Sequence, residues 1–250
     1  MDIAELLYWK KSNMTISKIS EETGIPENKL RYQYHKHLIK PFAPLSKWNL
    51  DRIKNVYDDE AQYVIGFLAA DGYINTVERC VVIWIREQDI EVLFRIRNVL
   101  GNPGAPIHKR LKSGNCSDQV GLNIGSKKLV EYLKSEYGFT RTKSKDLPFP
   151  NIKNPMPYLR GYFDGNGHVN KQVCITTGSK FFFRGLFNFL DITYGYTVYT
   201  RSHNSESSFD LVFKREHYQF LNELFKIKGL ERKSRNYELY SAKRRDRSRG

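Results

Sequence analysis

The chain has 250 residues, a hydrophobic fraction of 40% and a formal net charge of +14. This length suits one large domain or a few small ones with a real hydrophobic core. No apolar run is long enough to span a membrane. The first residues lack the features of a signal peptide, and the scattered cysteines lack metal-site or disulfide spacing. We therefore expect a cytoplasmic protein of a bacterial, archaeal or phage-infected cell, with an organelle as the open alternative.

The basic excess predicts a polyanionic partner, most often nucleic acid. Ten Lys or Arg and three acids lie between Lys226 and Gly250, which places half of the net charge in that segment. Residues 241–250 (SAKRRDRSRG) are predicted to form a basic tail, and a merely solubilising tail is the alternative. Either would add affinity for phosphates.

Residues 1–48 are predicted to form a separate all-α module of three helices. Helices over residues 2–11 and 15–23 are followed by Gly24 and by a third that starts near Pro26 and ends near His37. This order is typical of a helix-turn-helix. Its third helix carries the candidate DNA-contacting residues Lys29, Arg31, Gln33, His35 and Lys36. A plain three-helix bundle without DNA contact is the alternative, and residues 41–49 (PFAPLSKWN) are predicted to be a linker.

The remaining chain repeats one order of elements, in residues 49–150 and again in 151–240. Hydrophobic alternation and helical spacing predict a strand, a helix, a strand pair and a helix in each. The first set covers residues 80–86, 89–100, 105–112 with 119–124, and 127–137. The second set covers residues 173–177, 181–190, 196–203 with 209–214, and 217–226.

A ten-residue motif begins each half, IGFLAADGYI at 65–74 and RGYFDGNGHV at 160–169. Each copy is predicted to end a helix, and small residues on the two helices would let them pack closely as the seam between the halves. The predicted interface residues are Gly66, Ala69, Gly161 and Asp164. Gly72 and Gly167 are predicted to be left-handed helix caps.

Asp71 ends the first motif helix, where the helix dipole disfavours an anion. A divalent cation would offset this, and hard oxygen ligands suit Mg²⁺. For one copy alone, the Asp-Gly pair is equally well a turn that ends a helix. Two copies at matching positions favour the metal site.

The motifs YVIGFLAADGYIN and LRGYFDG resemble those of single-chain LAGLIDADG homing endonucleases, over roughly residues 50–240. The resemblance implies an α+β fold of two pseudo-symmetric αββαββα halves that form a DNA-binding saddle, with the motif helices at their interface. It also implies a monomer that hydrolyses both strands of a long, specific duplex DNA site, as in intron homing.

The same resemblance implies the site residues. Asp71 with the Ala70 carbonyl, and Asn166 with the Gly165 carbonyl, would hold Mg²⁺, for which Mn²⁺ or Ca²⁺ would substitute. Lys143 and Lys233 lie in matching segments, TRTKSKD and LERKSRN, where the family often keeps a basic catalytic residue. A general phosphate contact is the alternative role for each lysine.

Polar residues on the predicted strand pairs are candidates for reading bases in a major groove. Each could equally be an ordinary surface residue. They are His108, Arg110, Gln119 and Asn123 in the first half, and Arg201, His203, Asp210 and Lys214 in the second.

Asn166 departs from the family pattern, which has Asp at this position. An amide is a weaker metal ligand than a carboxylate, so one strand-cleaving centre should be impaired, leaving a nicking or inactive enzyme. The Asn is either an introduced, nearly isosteric substitution or natural. Two other functions stay open: an intron RNA maturase that assists splicing, and a non-catalytic DNA-binding transcription regulator.

Overall fold

The computed structural model describes residues 3–11, 14–37, 48–75, 79–110, 117–196, 199–202 and 208–246. The chain forms two compact units, Met1–Lys47 and Trp48–Gly250. Across the described residues, no helix is both long enough and apolar enough to cross a membrane.

The first unit contains the three predicted helices, α1 (Ile3–Lys11), α2 (Ile16–Thr23) and α3 (Glu27–Lys36). The Thr15 side chain accepts a hydrogen bond from the Lys18 amide and so caps the start of α2. Gly24 ends this helix at a φ of 67°, a left-handed conformation that suits glycine. A small apolar core holds the helices together, formed by Leu6, Ile16, Ile19, Leu30 and Tyr34.

The second unit begins with one complete half. Its elements are α4 (Asp59–Asp71), β1 (Tyr73–Asn75), β2 (Cys80–Arg86), α5 (Glu91–Val99), β3 (Ile107–Arg110), β4 (Gln119–Gly125), α6 (Lys127–Tyr137) and the short α7 (Lys143–Asp146). The four strands form an antiparallel sheet in the order β1-β2-β4-β3.

The second half repeats this arrangement. Its elements are α8 (Met156–Asn166), β5 (Gly167–Val169), β6 (Val173–Thr177), α9 (Lys180–Tyr194), β7 (Tyr199–Ser202), β8 (Phe209–Phe213), α10 (Tyr218–Lys226) and α11 (Glu231–Asp246). Its sheet has the matching order β5-β6-β8-β7. The predicted pair of αββαββα halves is therefore confirmed.

The last helix, α11, extends into the predicted tail. It runs to Asp246, so residues 241–246 are helical and do not belong to an irregular basic tail. Tyr237, Tyr240 and Ser241 are buried, which anchors the helix up to the predicted boundary between the second half and the tail.

The two motif helices, α4 and α8, pack with their backbones in close contact. A Cβ atom added to Gly66 would lie 1.9 Å from the Tyr158 carbonyl oxygen, and one added to Gly161 would lie 2.0 Å from that of Tyr63. Ala69 is also buried. Only glycine permits this separation, so the two motif glycines set the distance between the halves.

The prediction of left-handed caps at Gly72 and Gly167 is wrong. Their φ values are −70° and −90°, both in extended backbone that leads directly into β1 and β5. Glycine is required at these two positions because neighbouring atoms lie too close to leave room for a side chain. An added Cβ would lie 2.6 Å from the Leu68 carbonyl oxygen at Gly72, and 2.5 Å from the Phe163 ring at Gly167.

Candidate active site

The C-terminal ends of α4 and α8 meet at the midline of the second unit. A Cβ added to Gly165 would lie 2.3 Å from the Ala70 Cβ and 3.2 Å from the Asp71 carboxylate. The carboxylate of one motif helix thus lies against the last turn of the other. This brings together the four residues predicted to bind metal: Asp71, Ala70, Asn166 and Gly165.

Asp71 is an exposed residue, but protein surrounds its carboxyl group closely enough to change the pKa of that group. Burial raises the pKa of Asp71, and the positive charges of Lys233 and Lys143 oppose this shift. The larger of the two opposing effects comes from Lys233, which belongs to the other half. The charged form of this carboxylate therefore costs free energy, which is common at functional sites.

Lys143 caps the end of α4. Its ammonium group is buried and donates hydrogen bonds to the carbonyls of Ala69 (2.6 Å) and Ala70 (2.9 Å). Burial lowers the pKa of Lys143 to about 8, and Asp71 counteracts the shift. A cation at a helix C-terminus offsets the helix dipole, so Lys143 stabilises the turn that carries Asp71.

Lys233 caps α8 in the same way but more completely. Its ammonium donates to the carbonyls of Phe163 (2.9 Å), Asp164 (2.5 Å) and Gly167 (2.7 Å). Burial lowers the pKa of Lys233 to about 8, and Asp164 is the main opposing charge. An ammonium group has three donors, so these carbonyls use all of them.

Asn166 is tied to its own helix. Its side chain makes a hydrogen bond with Tyr162, whose hydroxyl in turn donates to Thr177 at 3.0 Å. The amide is therefore held at the midline, but as a neutral group.

The oxygens at this point suit a hard divalent cation, although they include only one free carboxylate. Asp71, the Asn166 amide and the Gly165 carbonyl are at hand, while the Ala70 carbonyl already accepts from Lys143. Within the described ranges, no three His, Cys, Asp or Glu side chains gather as a ready-made metal cluster. Any ion here would depend on backbone and amide oxygens as well as on Asp71.

A cavity of about 460 Å³ opens beside Asp71. Residues of both halves line it, and most of them are polar or charged. Besides the Trp84 indole, the polar and charged residues of the lining that were not predicted from the sequence are Arg86, Asp89, His168, Asn170, Arg232 and Asn236. Of these residues, Arg232 could have been noticed in the sequence. It is a charged residue beside Lys233, whereas the matching segment has the uncharged Thr142 beside Lys143.

Asp164 lies in the helix interface, where its carboxylate serves a buried network. It accepts hydrogen bonds from the Tyr63 hydroxyl (2.8 Å) and the Leu230 amide (2.7 Å), and Arg160 lies 3.3 Å away. Arg160 is fully buried, donates to Ser234 at 2.9 Å and lies over the Phe225 ring. Asp164 therefore joins the halves and does not substitute for a second metal-binding carboxylate.

The candidate base readers of the first half share one face of their sheet. Residues opposite each other in an antiparallel pair lie on the same face, and the register pairs His108 with Gly121 and Arg110 with Gln119. Asn123 belongs to the same face by alternation. The Trp84 ring covers Gly121 there and is 38% exposed, so an aromatic surface lies among the polar groups.

The candidate base readers of the second sheet lie only partly within the described residues. Arg201 pairs with Asp210 in the register, and alternation puts Lys214 on the same face. Asp210 is buried and accepts a hydrogen bond from Thr176 at 2.7 Å, so it is already engaged. His203 and the side chain of Arg201 lie outside the described residues.

The candidates on α3 of the first unit are partly described. Lys29 and Arg31 are exposed, Gln33 is half-buried, and Arg31 pairs with Glu27 at 2.9 Å. His35 and Lys36 belong to the helix, but their side chains lie outside the described residues.

Comparisons with known proteins identify the fold. No family model and no curated protein matches the sequence. Among solved structures, I-DmoI in complex with DNA and Ca is similar with a TM-score of 0.50 and 14% identity, over 74% of this chain and 99% of that one. The homing endonuclease I-WcaI bound to its DNA recognition sequence is similar with a TM-score of 0.52 and 16% identity, over 74% and 87%. The chain therefore has the fold of LAGLIDADG homing endonucleases.

Proposed function

We propose that this chain is a site-specific, metal-dependent DNA endonuclease of the homing type, with one of its two strand-cleaving centres impaired. The observation that carries the proposal is the meeting of the two motif helix ends, where Asp71 lies beside a cavity and a buried lysine caps each end.

Duplex DNA is the partner that the charge and surface favour. The net charge of +14 suits a polyanion. The exposed face of the first sheet combines His108, Arg110, Asn123 and Trp84, which offers hydrogen-bonding and apolar groups to base edges. The two similar structures are both bound to DNA, which supports the same partner for this fold.

The residues at the midline would have different roles in phosphodiester hydrolysis. Asp71, with the Asn166 amide and the Gly165 carbonyl, would hold Mg²⁺, for which Mn²⁺ or Ca²⁺ would substitute. A bound divalent cation supplies charge neutralisation at the phosphate and lowers the pKa of a bound water. Lys143 uses two of its three donors on helix carbonyls, so one N–H remains to orient a water or a phosphate oxygen.

The Asn166 position makes the two centres unequal. Its amide carries no charge to balance a second cation, and the nearby carboxylate of Asp164 is committed to Arg160, Tyr63 and Leu230. We therefore propose that the protein binds its site fully but nicks one strand, or cuts the second strand slowly.

Two substitutions test this proposal. Asn166→Asp restores the missing carboxylate and should increase second-strand cleavage by about 100-fold or more in Mg²⁺, measured by strand-specific product analysis. Asp71→Asn in the chain that carries Asn166 should abolish all cleavage while binding in Ca²⁺ persists. Continued cutting by the double amide would show that the metal assignment is wrong. A preference for structured intron RNA over duplex DNA would favour the maturase instead.

A further inference from the structure

Lys233 is poorly suited to contact the phosphate directly. All three of its donors are used by carbonyls at the end of α8, and the residue is only 5% exposed. To reach a ligand it would have to release one of these bonds. The second half thus uses its lysine as a helix cap, and the other cations of the cavity lining, Arg86 and Arg232, are the remaining candidates for a ligand contact.

Arg232, the preceding residue on α11, does face the cavity. Asp89 of the first half holds it, since Nε lies 3.2 Å from Oδ1 and Nη2 lies 2.9 Å from Oδ2. The Arg232 side chain is 40% exposed, whereas that of Asp89 is 11% exposed. The pair therefore fixes one edge of the guanidinium and leaves the Nη1 side directed away from Asp89.

This arrangement suits a phosphate oxygen. A guanidinium is planar, permanently charged and matched in geometry to phosphate, and anchoring by a carboxylate reduces the entropy lost on binding. Arg86 adds another positive charge to the same lining. Among the acids there, Asp89 is paired with Arg232 and Asp164 is buried in its network, whereas Asp71 is exposed.

The first half has no equivalent group. Thr142 occupies the position that matches Arg232, and its hydroxyl donates to Asp146 at 2.8 Å. Arg232 therefore has no counterpart in the matching segment of the first half, and it lines a cavity that also contains Asp71 and Arg86 of the first half.

We propose that Arg232, held by Asp89, contacts a backbone phosphate of duplex DNA in the cavity beside Asp71. This assignment rests on the proposed endonuclease function and extends it to a residue outside the motifs. Arg232 would be a catalytic residue in the sense of touching the reacting strand, and Asp89 would be its positioning residue.

The test compares Arg232→Gln and the double variant Arg232→Gln/Asp89→Asn with the unmodified full chain. The double variant avoids leaving Asp89 buried without a partner. The probe is a duplex enriched from a random-sequence library by the full chain in Ca²⁺. Binding is measured in EDTA over a range of NaCl concentrations, and nicking is measured in Mg²⁺ at saturating protein.

Both variants should lower the slope of log affinity against log salt by about one unit, as loss of one phosphate contact predicts. Both should slow nicking by about 100-fold, the usual effect of removing one donor at developing charge. Arg235→Gln is the matched control. It lies on the same helix, pairs with Glu231 at 2.9 Å and does not line the Asp71 cavity, so its nicking rate should be unchanged.

An unchanged salt slope in the double variant would overturn the phosphate contact, and wild-type nicking with a lowered slope would overturn its catalytic role, while either result leaves the endonuclease intact. If neither the unmodified chain nor Asn166→Asp enriches or cleaves any duplex, the proposed function fails and the contact fails with it.

Discussion

At the scale of single residues, the site is built from charges in unfavourable positions. Asp71 ends a helix, where the dipole opposes an anion, and burial raises its pKa further. Lys143 and Lys233 are buried cations whose pKa values fall to about 8. Asp71 and the two lysines offset part of one another's cost by attraction, and the lysines also cap the two helix ends.

Asp71→Asn should therefore make the metal-free protein more stable at neutral pH. Because the folded pKa of Asp71 is raised, the ionised form costs stability above the ordinary pKa, and this cost disappears as pH falls through the folded pKa. We expect a Tm higher by about 1–3 °C at pH 7, with the difference shrinking on acidification.

The Tm values are measured by thermal unfolding, and the same measurement with added Mg²⁺ is the control. Binding to the folded state alone should raise the Tm of the unmodified chain and should have little effect on the Asn variant. A lower Tm for Asp71→Asn at pH 7 would mean that attraction to the two lysines outweighs the burial of the carboxylate.

At the scale of elements, the contact between α4 and α8 determines where the proposed catalytic groups lie. Gly66 and Gly161 remove the side chains that would separate the helices, and Tyr63 reaches across to Asp164. The helix ends can approach only because the backbones touch at these two positions.

Gly161→Ala should destabilise the protein by about 2–4 kcal/mol, because the added methyl would meet the Tyr63 carbonyl oxygen at 2.0 Å and the helices would have to separate. Gly104→Ala is the control, since nothing lies within 4 Å of its Cβ. Chemical denaturation measures both. Equal stability of the two variants would show that the helix interface is loose.

The sequence predicted the elements that have strong local signals. Residues 80–86 are a short apolar run that ends at Arg86, and residues 127–137 are followed by Gly138; the structure has β2 and α6 with these bounds. The strands β1 and β5 have three residues each, too few for a period. The Arg232–Asp89 pair joins positions 143 residues apart, and only the fold brings them together.

At the scale of the whole molecule, the second unit is symmetric in its elements and asymmetric in its chemistry. Both halves share one strand order and one core. They differ at Asp71 and Asn166, and at Thr142 and Arg232. The segment around α11 also ties the halves together, through Arg232 and through the Lys228 carbonyl, which accepts from Arg95. This combination of a symmetric backbone and unequal side chains is what the proposed nicking activity requires.

The first unit has its own core, which predicts that it can be removed without unfolding the rest. Deletion of residues 1–47 should leave the Tm of the second unit nearly unchanged. If α3 contacts DNA, as its helix-turn-helix order predicts, the deletion should also shorten the footprint and weaken binding by about tenfold or more. Lys29→Gln/Arg31→Gln in the full chain should reproduce much of the affinity loss, because both side chains are exposed. A footprint of unchanged length would instead assign all DNA contact to the two sheets and the motif helices.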